Sequence, residues 1–159
     1  MFQGRLEAIY IGRHKRADLQ QVPEVEAVPG SGLVGDRYCN QQGTFSKPGS
    51  PDREVTLIEM EAMEALEREC KITLQAGQAR RNLATRGVPL NHLVDQEFVV
   101  GEVVLRGIRL CEPCGHLESL AVKGLKDGLC HRGGLRAQIV RGGFLRAGDA
   151  IRLPVDPTD

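Results

Sequence analysis

Turn-forming residues recur along the whole chain and limit how long any helix can run. The 159 residues include 19 glycines and 8 prolines, together more than the usual share of about 12 %. Glycine weakens the interior of a helix, and proline interrupts it. A bundle of long helices and a coiled coil are therefore excluded, and we expect short elements joined by many turns.

The apolar pattern predicts short strands in most of the chain. Strands are expected where apolar and polar residues alternate, or where short apolar runs lie between turn residues. These segments are residues 6–11, 22–28, 54–58, 98–102, 103–110 and 137–143, with a closing hairpin at 144–153. Pro23 favours a sheet edge, and Gly107 predicts a bulge or a barrel bend. We predict a mostly β fold, a closed mixed β-barrel with inserted short helices, with a generic α+β domain as the alternative.

Only one segment has a convincing helical pattern. Residues 59–69 place apolar side chains at helical spacing, and Thr56 with Glu59 resembles a capping box in front of them. Cys70, late in this segment, is expected in the core. One or two further helical turns are predicted at residues 89–94.

A chain of this length fits one domain. We predict a single domain over residues 1–159, with its core at about 5–153 and a polar tail at 154–159, and we find no internal repeat or linker. Residues 41–52 show no periodicity and are expected to form a flexible surface loop. The oligomeric state is not predicted.

Charge and aromatic content exclude two classes of partner. The chain has 21 Lys and Arg against 21 Asp and Glu, with 4 % aromatic residues and no Trp. A general nucleic-acid binder would have a basic excess and stacking aromatics. No apolar stretch approaches the roughly 18 residues of a membrane span, and no secretory signal opens the chain. We expect no nucleic acid and no membrane as partner, and a cytoplasmic location.

The densest chemistry lies around two thiols, Cys111 and Cys114, with His116 two residues further on. Five cysteines cannot form a complete set of intramolecular disulfides, so thiols, metal ligands or catalytic groups are expected. Four interpretations compete: a structural zinc site, a redox dithiol, a single thiolate that binds a soft metal or carries sulfur, and a buried pair without function.

Two of these interpretations are disfavoured. The second half of a zinc site would have to come from Cys130 and His131, but adjacent residues of an extended chain point to opposite faces. A redox dithiol belongs in an alternating β/α pattern, which is missing here. Cys39 is expected to be an ordinary thiol.

Arginines beside glycines or an amide are candidate anion binders. Their planar guanidinium groups match phosphate and carboxylate. The candidates are Arg37, Arg80, Arg81, Asn82 and Arg132. Arg37 follows Asp36, an order more typical of a structural ion pair, and Arg132 precedes two glycines that allow close approach of a ligand.

Taken in order, these segments resemble the MOSC domain, named for the C-terminal part of molybdenum cofactor sulfurases. The matching segments are residues 32–37 (GLVGDR), 53–58 (REVTLI), 80–83 (RRNL), 100–101, 111–114 (CEPC) and 142–149. The resemblance covers roughly residues 5–153. It implies a mixed β-barrel with a few helices that binds molybdenum through a pterin cofactor, molybdopterin.

The resemblance also implies roles for residues. Cys114 matches the cysteine that is the protein ligand to molybdenum, which makes it the metal-binding and catalytic residue. Arg81 and Asn82 match a family segment near the cofactor phosphate or the metal. The expected cofactor-binding residues are Arg37, Arg80, Arg81, Asn82 and Arg132.

Small stand-alone members of this family are similar to reductases of N-hydroxylated compounds. A small-molecule substrate of that class and an electron-donating reductase partner are therefore expected, since the chain has no flavin or iron–sulfur motif. The alternative is a non-catalytic carrier of sulfur or of the molybdenum cofactor. No pyridoxal phosphate is expected, since the aminotransferase-like domain of the sulfurases does not match this chain. His116 and His131 are candidate proton donors, and Tyr38–Cys39 stands where family members often have a histidine.

Overall fold

Eleven short strands form the main regular structure of the described residues. The computed structural model describes residues 2–39, 50–113 and 123–155. The strands are β1 (Gly4–Ile11), β2 (Gln20–Val22), β3 (Glu24–Val28), β4 (Gly32–Leu33), β5 (Val55–Glu59), β6 (Leu83–Arg86), β7 (Glu97–Val100), β8 (Val103–Leu110), β9 (Leu135–Arg141), β10 (Gly143–Arg146) and β11 (Ala150–Arg152). The helices are α1 (Met60–Cys70) and α2 (Leu125–Gly128), with 3-10 helices at Pro51–Arg53 and Leu90–Leu93.

Seven of these strands close into a barrel. Their order is β1, β11, β7, β8, β9, β5 and β6, and β6 returns to pair with β1. The β5–β6 pair is parallel, and the other strand pairs of the ring are antiparallel. Parallel neighbours need a crossover connection, and α1 lies in the connection from β5 to β6. The closed mixed β-barrel with short helices is confirmed.

A smaller sheet adds to the barrel core. It has the order β10, β3, β4, while β2 extends the barrel sheet from β1. The predicted strand at 22–28 is split at Pro23, so that β2 and β3 lie in different sheets. Val25 and Leu145 of the small sheet join the same apolar cluster as the barrel residue Phe98.

Alternation along the strands separates two apolar layers. Leu57 and Leu83 point into the barrel cluster, whereas their neighbours Ile58 and Ala84 belong to a second cluster beneath the helices. Leu66 of α1 packs there, and so do Leu125 and Leu129 around α2. The helices therefore cover the outer face of β1, β5 and β6.

The structure confirms one local prediction and shows that two others are wrong. The bulge predicted at Gly107 is confirmed by a register shift between Gly107 and Arg109 on β8. The capping box is wrong: Glu59 is the N-cap residue without a side-chain cap bond, and Thr56 lies inside β5. Cys70 is exposed at the end of α1, so its core placement is also wrong.

Two other segments are partly described. The turns predicted at 89–94 are a 3-10 helix over Leu90–Leu93. The loop predicted at 41–52 lies outside the described residues as far as position 49, and a 3-10 helix begins at Pro51. None of the described helices is both long and apolar enough to span a membrane.

Candidate functional site

The cysteine segment, residues 111–114, begins directly after β8. Cys111 is 1 % exposed, and its backbone N–H donates to the carbonyl oxygen of Gly134 at 2.7 Å. This bond places the segment against the turn that opens β9. Cys114 and His116 lie outside the described residues.

Arg81 holds the two sides of this junction together. Its Nε donates to the carbonyl oxygen of Gly133 at 2.7 Å, and its Nη2 donates to that of Cys111 at 2.9 Å. A third bond runs from Nη1 to the carbonyl oxygen of Ala79 at 3.2 Å. The side chain is buried, and among the described residues no carboxylate pairs with it. A buried positive charge therefore lies directly behind the start of the cysteine segment.

Arg136 of β9 is a second buried cation at this place, and sequence reasoning missed it. Burial opposes its charge, yet its pKa is raised because the groups facing it become negative when ionised: the thiol of Cys111, the hydroxyl of Tyr38 and the carboxyl of Asp52. Its Nη1 also donates to the carbonyl oxygen of Asp52 at 3.4 Å. Leu135, Arg136 and Ala137 are all buried, and no pattern in the sequence indicates this.

Arg37 and Asp36 form a buried ion pair, as the order of the two residues suggested. Arg37 Nη1 lies 3.1 Å from Asp36 Oδ1, and that oxygen also accepts from the backbone N–H of Gly12 at 2.9 Å. The guanidinium lies over the ring of Tyr38, 4.5 Å from its centroid. Because Tyr38 also bonds Arg136, the tyrosine connects the ion pair to the cysteine segment.

Arg80 faces a different part of the molecule from Arg81. Its guanidinium donates to the carbonyl oxygens of Lys15 and Ala17 in the β1–β2 connection. Burial and the like charge of Arg37 lower the pKa of Arg80. The left-handed backbone at Arg80, with φ of 64°, turns successive side chains in different directions. Its role toward a cofactor stays a prediction.

The side chain of Asn82 is buried and bonds to residues of β5 and β1. Oδ1 accepts from the backbone N–H and from the hydroxyl of Thr56, both at 3.1 Å. Nδ2 donates to the carbonyl oxygen of Tyr10 at 3.1 Å. Asn82 thus ties β1 and β5 to the start of β6 and fixes the residue before it, Arg81; its contact with a cofactor stays a prediction.

Arg132 and His131 lie on the turn between α2 and β9. Arg132 donates to a carboxylate oxygen of Glu69 at 2.6 Å and to the carbonyl oxygen of Gly128 at 2.8 Å. His131 is exposed and faces Glu112. Of the predicted arginines, the structure therefore brings Arg81 to Cys111 and directs Arg80 and Arg132 to other segments.

Comparisons with solved structures show the same fold. YuaD from Bacillus subtilis aligns with a TM-score of 0.73 and 16 % identity over 95 % of this chain and 97 % of that one. YiiM from Geobacillus stearothermophilus gives 0.73 and 16 % over 96 % and 75 %. YiiM from Escherichia coli gives 0.68 and 18 % over 98 % and 72 %. At these identities the likeness concerns the fold alone.

Sequence comparison identifies the family. The search of curated proteins gave no match. The family model of the MOSC domain matches residues 45–152, a span that begins before β5, ends in β11 and contains the cysteine segment with Arg81 and Arg136. The chain belongs to the MOSC domain family.

Proposed function

We propose that this protein binds the molybdenum cofactor through the Cys114 thiolate and reduces N-hydroxylated small molecules with electrons from a partner protein. The observation that carries the proposal is Arg81, whose buried guanidinium bonds the carbonyl oxygen of Cys111, three residues before Cys114. Membership of the MOSC family supplies the class of cofactor.

The donor groups around the segment fit an anionic cofactor with a soft metal. The three bonds of Arg81 go to neutral carbonyl oxygens, so its charge is not neutralised by a described carboxylate. Arg136 adds a second buried guanidinium beside Cys111. Positive groups near a cysteine favour the thiolate, the form that binds metals, and guanidinium groups pair well with phosphate.

The residues of this chain would bind and orient the cofactor and would not carry electrons themselves. Arg81 fixes the cysteine segment against Gly133, and Asn82 fixes Arg81 through its bonds to β1 and β5. When bound, the cofactor supplies two-electron chemistry. Arg37, Arg80 and Arg132 remain proposed cofactor contacts, to be tested on the protein with cofactor bound.

Metal analysis of protein made in a host that synthesises the cofactor tests the proposal. We expect one molybdenum and one pterin per wild-type chain, and loss of both in Cys114→Ser. Cys70→Ser is the matched control, because Cys70 is an exposed thiol at the end of α1, and it should retain both. Equal molybdenum content in the two variants, or none in the wild type, would contradict the proposal.

Turnover separates the reductase from the carrier of sulfur or cofactor. The loaded protein, supplied with a chemical reductant, should consume a hydroxylamine-type substrate, and Cys114→Ser should not. Full cofactor content without turnover would favour the carrier, and a persulfide on Cys114 seen by mass spectrometry would identify sulfur as its load.

A further inference from the structure

Three side chains of different chemistry converge on the surface beside the cysteine segment. Glu112 follows β8, while Cys130 and His131 come from the turn after α2. A carboxylate oxygen, the thiol sulfur and a ring nitrogen all lie within 4.8 Å of one another. Nδ1 of His131 is 3.2 Å from Oε2 of Glu112. The three ligand atoms are therefore close enough together to contact one ion.

The turn after α2 explains why two adjacent residues can face the same way. The backbone N–H of Cys130 donates to the carbonyl oxygen of Asp127 at 3.3 Å, and that of Arg132 donates to Leu129 at 3.0 Å. His131 has a φ of 63°, in the left-handed region that few residues other than glycine adopt. The chain is therefore not extended here, and the expectation that Cys130 and His131 point apart is wrong.

Neighbouring bonds hold the cluster in place from the protein side. Oε1 of Glu112 accepts from the backbone N–H of His131 at 3.0 Å. The carbonyl oxygen of His131 accepts from Nδ2 of Asn91 at 2.8 Å. The two segments are thus joined before any ligand arrives, which lowers the ordering cost of binding.

The donor set and its spacing match a tetrahedral transition metal. Thiolate, imidazole and carboxylate are ligands of zinc, and three protein ligands with one open position form a known arrangement. Ligand bonds of about 2.0–2.1 Å place a nitrogen and an oxygen roughly 3.3 Å apart around a tetrahedral ion, close to the 3.2 Å between His131 Nδ1 and Glu112 Oε2. Calcium and magnesium prefer oxygen ligands alone.

We propose that Glu112, Cys130 and His131 bind a divalent zinc-type metal ion, with the fourth position open to water or to an external ligand. The thiol of Cys130 releases its proton to solvent on binding. The thiolate and the carboxylate together then balance the two positive charges of the ion. All three side chains are exposed, so the ion enters without opening the fold.

Occupation of this site would tie the cysteine segment to the turn after α2. Glu112 follows Cys111 directly, and Arg81 already bonds Cys111 and Gly133 on the buried side. The metal would add a second link between the same two segments on the exposed side. The site does not use Cys114, so it stands or fails independently of the molybdenum proposal.

Zinc titration of the full chain, made without molybdenum cofactor and freed of metal by a chelator, tests the proposal. We expect one equivalent of Zn²⁺ in the wild type. Since loss of even an outer partner of a ligand weakens metal binding about 10–100-fold, Cys130→Ser and His131→Gln should weaken it at least about 100-fold, and Glu112→Gln at least about tenfold. Cys70→Ser, an exposed cysteine on α1, should bind like the wild type.

Cobalt replacement identifies the sulfur that is bound. The Co²⁺ complex should show thiolate charge-transfer absorption in the wild type, in Cys70→Ser and in Cys114→Ser, but not in Cys130→Ser. Absorption that persists in Cys130→Ser, or wild-type protein that takes up no stoichiometric Zn²⁺, would overturn the proposal. Because the three residues are exposed and an exposed ion pair is worth at most about 1 kcal/mol, the metal-free variants should unfold within a few degrees of the wild type, which separates lost binding from lost folding.

Discussion

Arg81 donates to the carbonyl oxygen of Cys111 at 2.9 Å and so carries a buried positive charge to the start of the cysteine segment. A second arm of the same guanidinium reaches Gly133 at 2.7 Å. The planar group donates to the two carbonyl oxygens from two nitrogens held in a rigid fork, whereas the ammonium group of lysine is a compact charge on a flexible stem. Position 81 therefore requires the shape of the guanidinium group as well as its positive charge.

Arg81→Lys should lower the free energy of unfolding by about 2 kcal/mol, because the bonds of a buried charged group are weakened while the charge stays. Molybdenum retention should fall in the same variant. Urea unfolding measures the first effect and metal analysis the second. Arg68→Lys is the control, since Arg68 is exposed on α1 and should change stability by less than about 0.5 kcal/mol. Equal losses in the two variants would contradict the role assigned to Arg81.

Asn82→Ala should lower the free energy of unfolding by more than the small size of the change suggests. The substitution leaves the backbone N–H of Thr56 and the carbonyl oxygen of Tyr10 without the bonds they make now. Unsatisfied buried groups cost about 1–3 kcal/mol each, so we expect a loss of about 3 kcal/mol in urea unfolding. Asn91→Ala removes an exposed amide and should cost less than about 1 kcal/mol. A loss below about 1 kcal/mol in Asn82→Ala would show that the buried bonds of Asn82 contribute little.

The barrel could be predicted because its signals are local. Alternating residues and turn signals mark β1, β5, β7 and β8 in the sequence, and many short strands favour closure. β6 (Leu83–Arg86) was missed, because four residues are too few for a period. Its strand character comes from pairing with β1 and β5, which lie far away in the sequence.

The motifs of the site could be predicted from the sequence, but the directions in which its arginine side chains point could not. Arg81 was named from its neighbours in the sequence, yet nothing local shows that Arg80 turns toward Lys15 and Ala17. Arg136 was missed because an arginine in a strand usually faces solvent. Its partners Cys111 and Tyr38 come from distant parts of the sequence, and only the closed barrel brings them to it.

Gly134, directly before β9, lies close against the backbone of β5. Its φ is 112° and that of Gly30 is 77°, so an alanine is strained at both positions by about 1–2 kcal/mol. A Cβ at Gly134 would also overlap the carbonyl oxygen of Leu57, whereas at Gly30 it would meet nothing within 4 Å. We expect Gly134→Ala to cost at least about 4 kcal/mol and Gly30→Ala about 1 kcal/mol in urea unfolding. Equal costs would mean that β5 moves aside freely.

Asp52 provides stability that depends on pH. Burial alone would raise the pKa of its carboxyl, but bonds from Ser50 and Arg109 and the charge of Arg53 lower the pKa to about 2 from the usual 3.8. Because the folded pKa lies below the unfolded one, this stability is fully present above about pH 4 and is lost as the pH falls through about 2. Lowering the pKa of Asp52 from 3.8 to about 2 corresponds to about 2 kcal/mol of stability at neutral pH.

Asp52→Asn should therefore be about 2 kcal/mol less stable than the wild type near neutral pH, and the difference should shrink as the pH falls from about 4 toward 2. Glu54, whose pKa is raised by burial, contributes with the opposite sign, but it is present in both proteins and cancels in the difference. Urea unfolding across this pH range measures the effect. Asp95→Asn, at a side chain that is 76 % exposed, is the matched control and should follow the wild type throughout. A difference between Asp52→Asn and the wild type that stays constant with pH would show that the carboxylate charge is not the source of the stability.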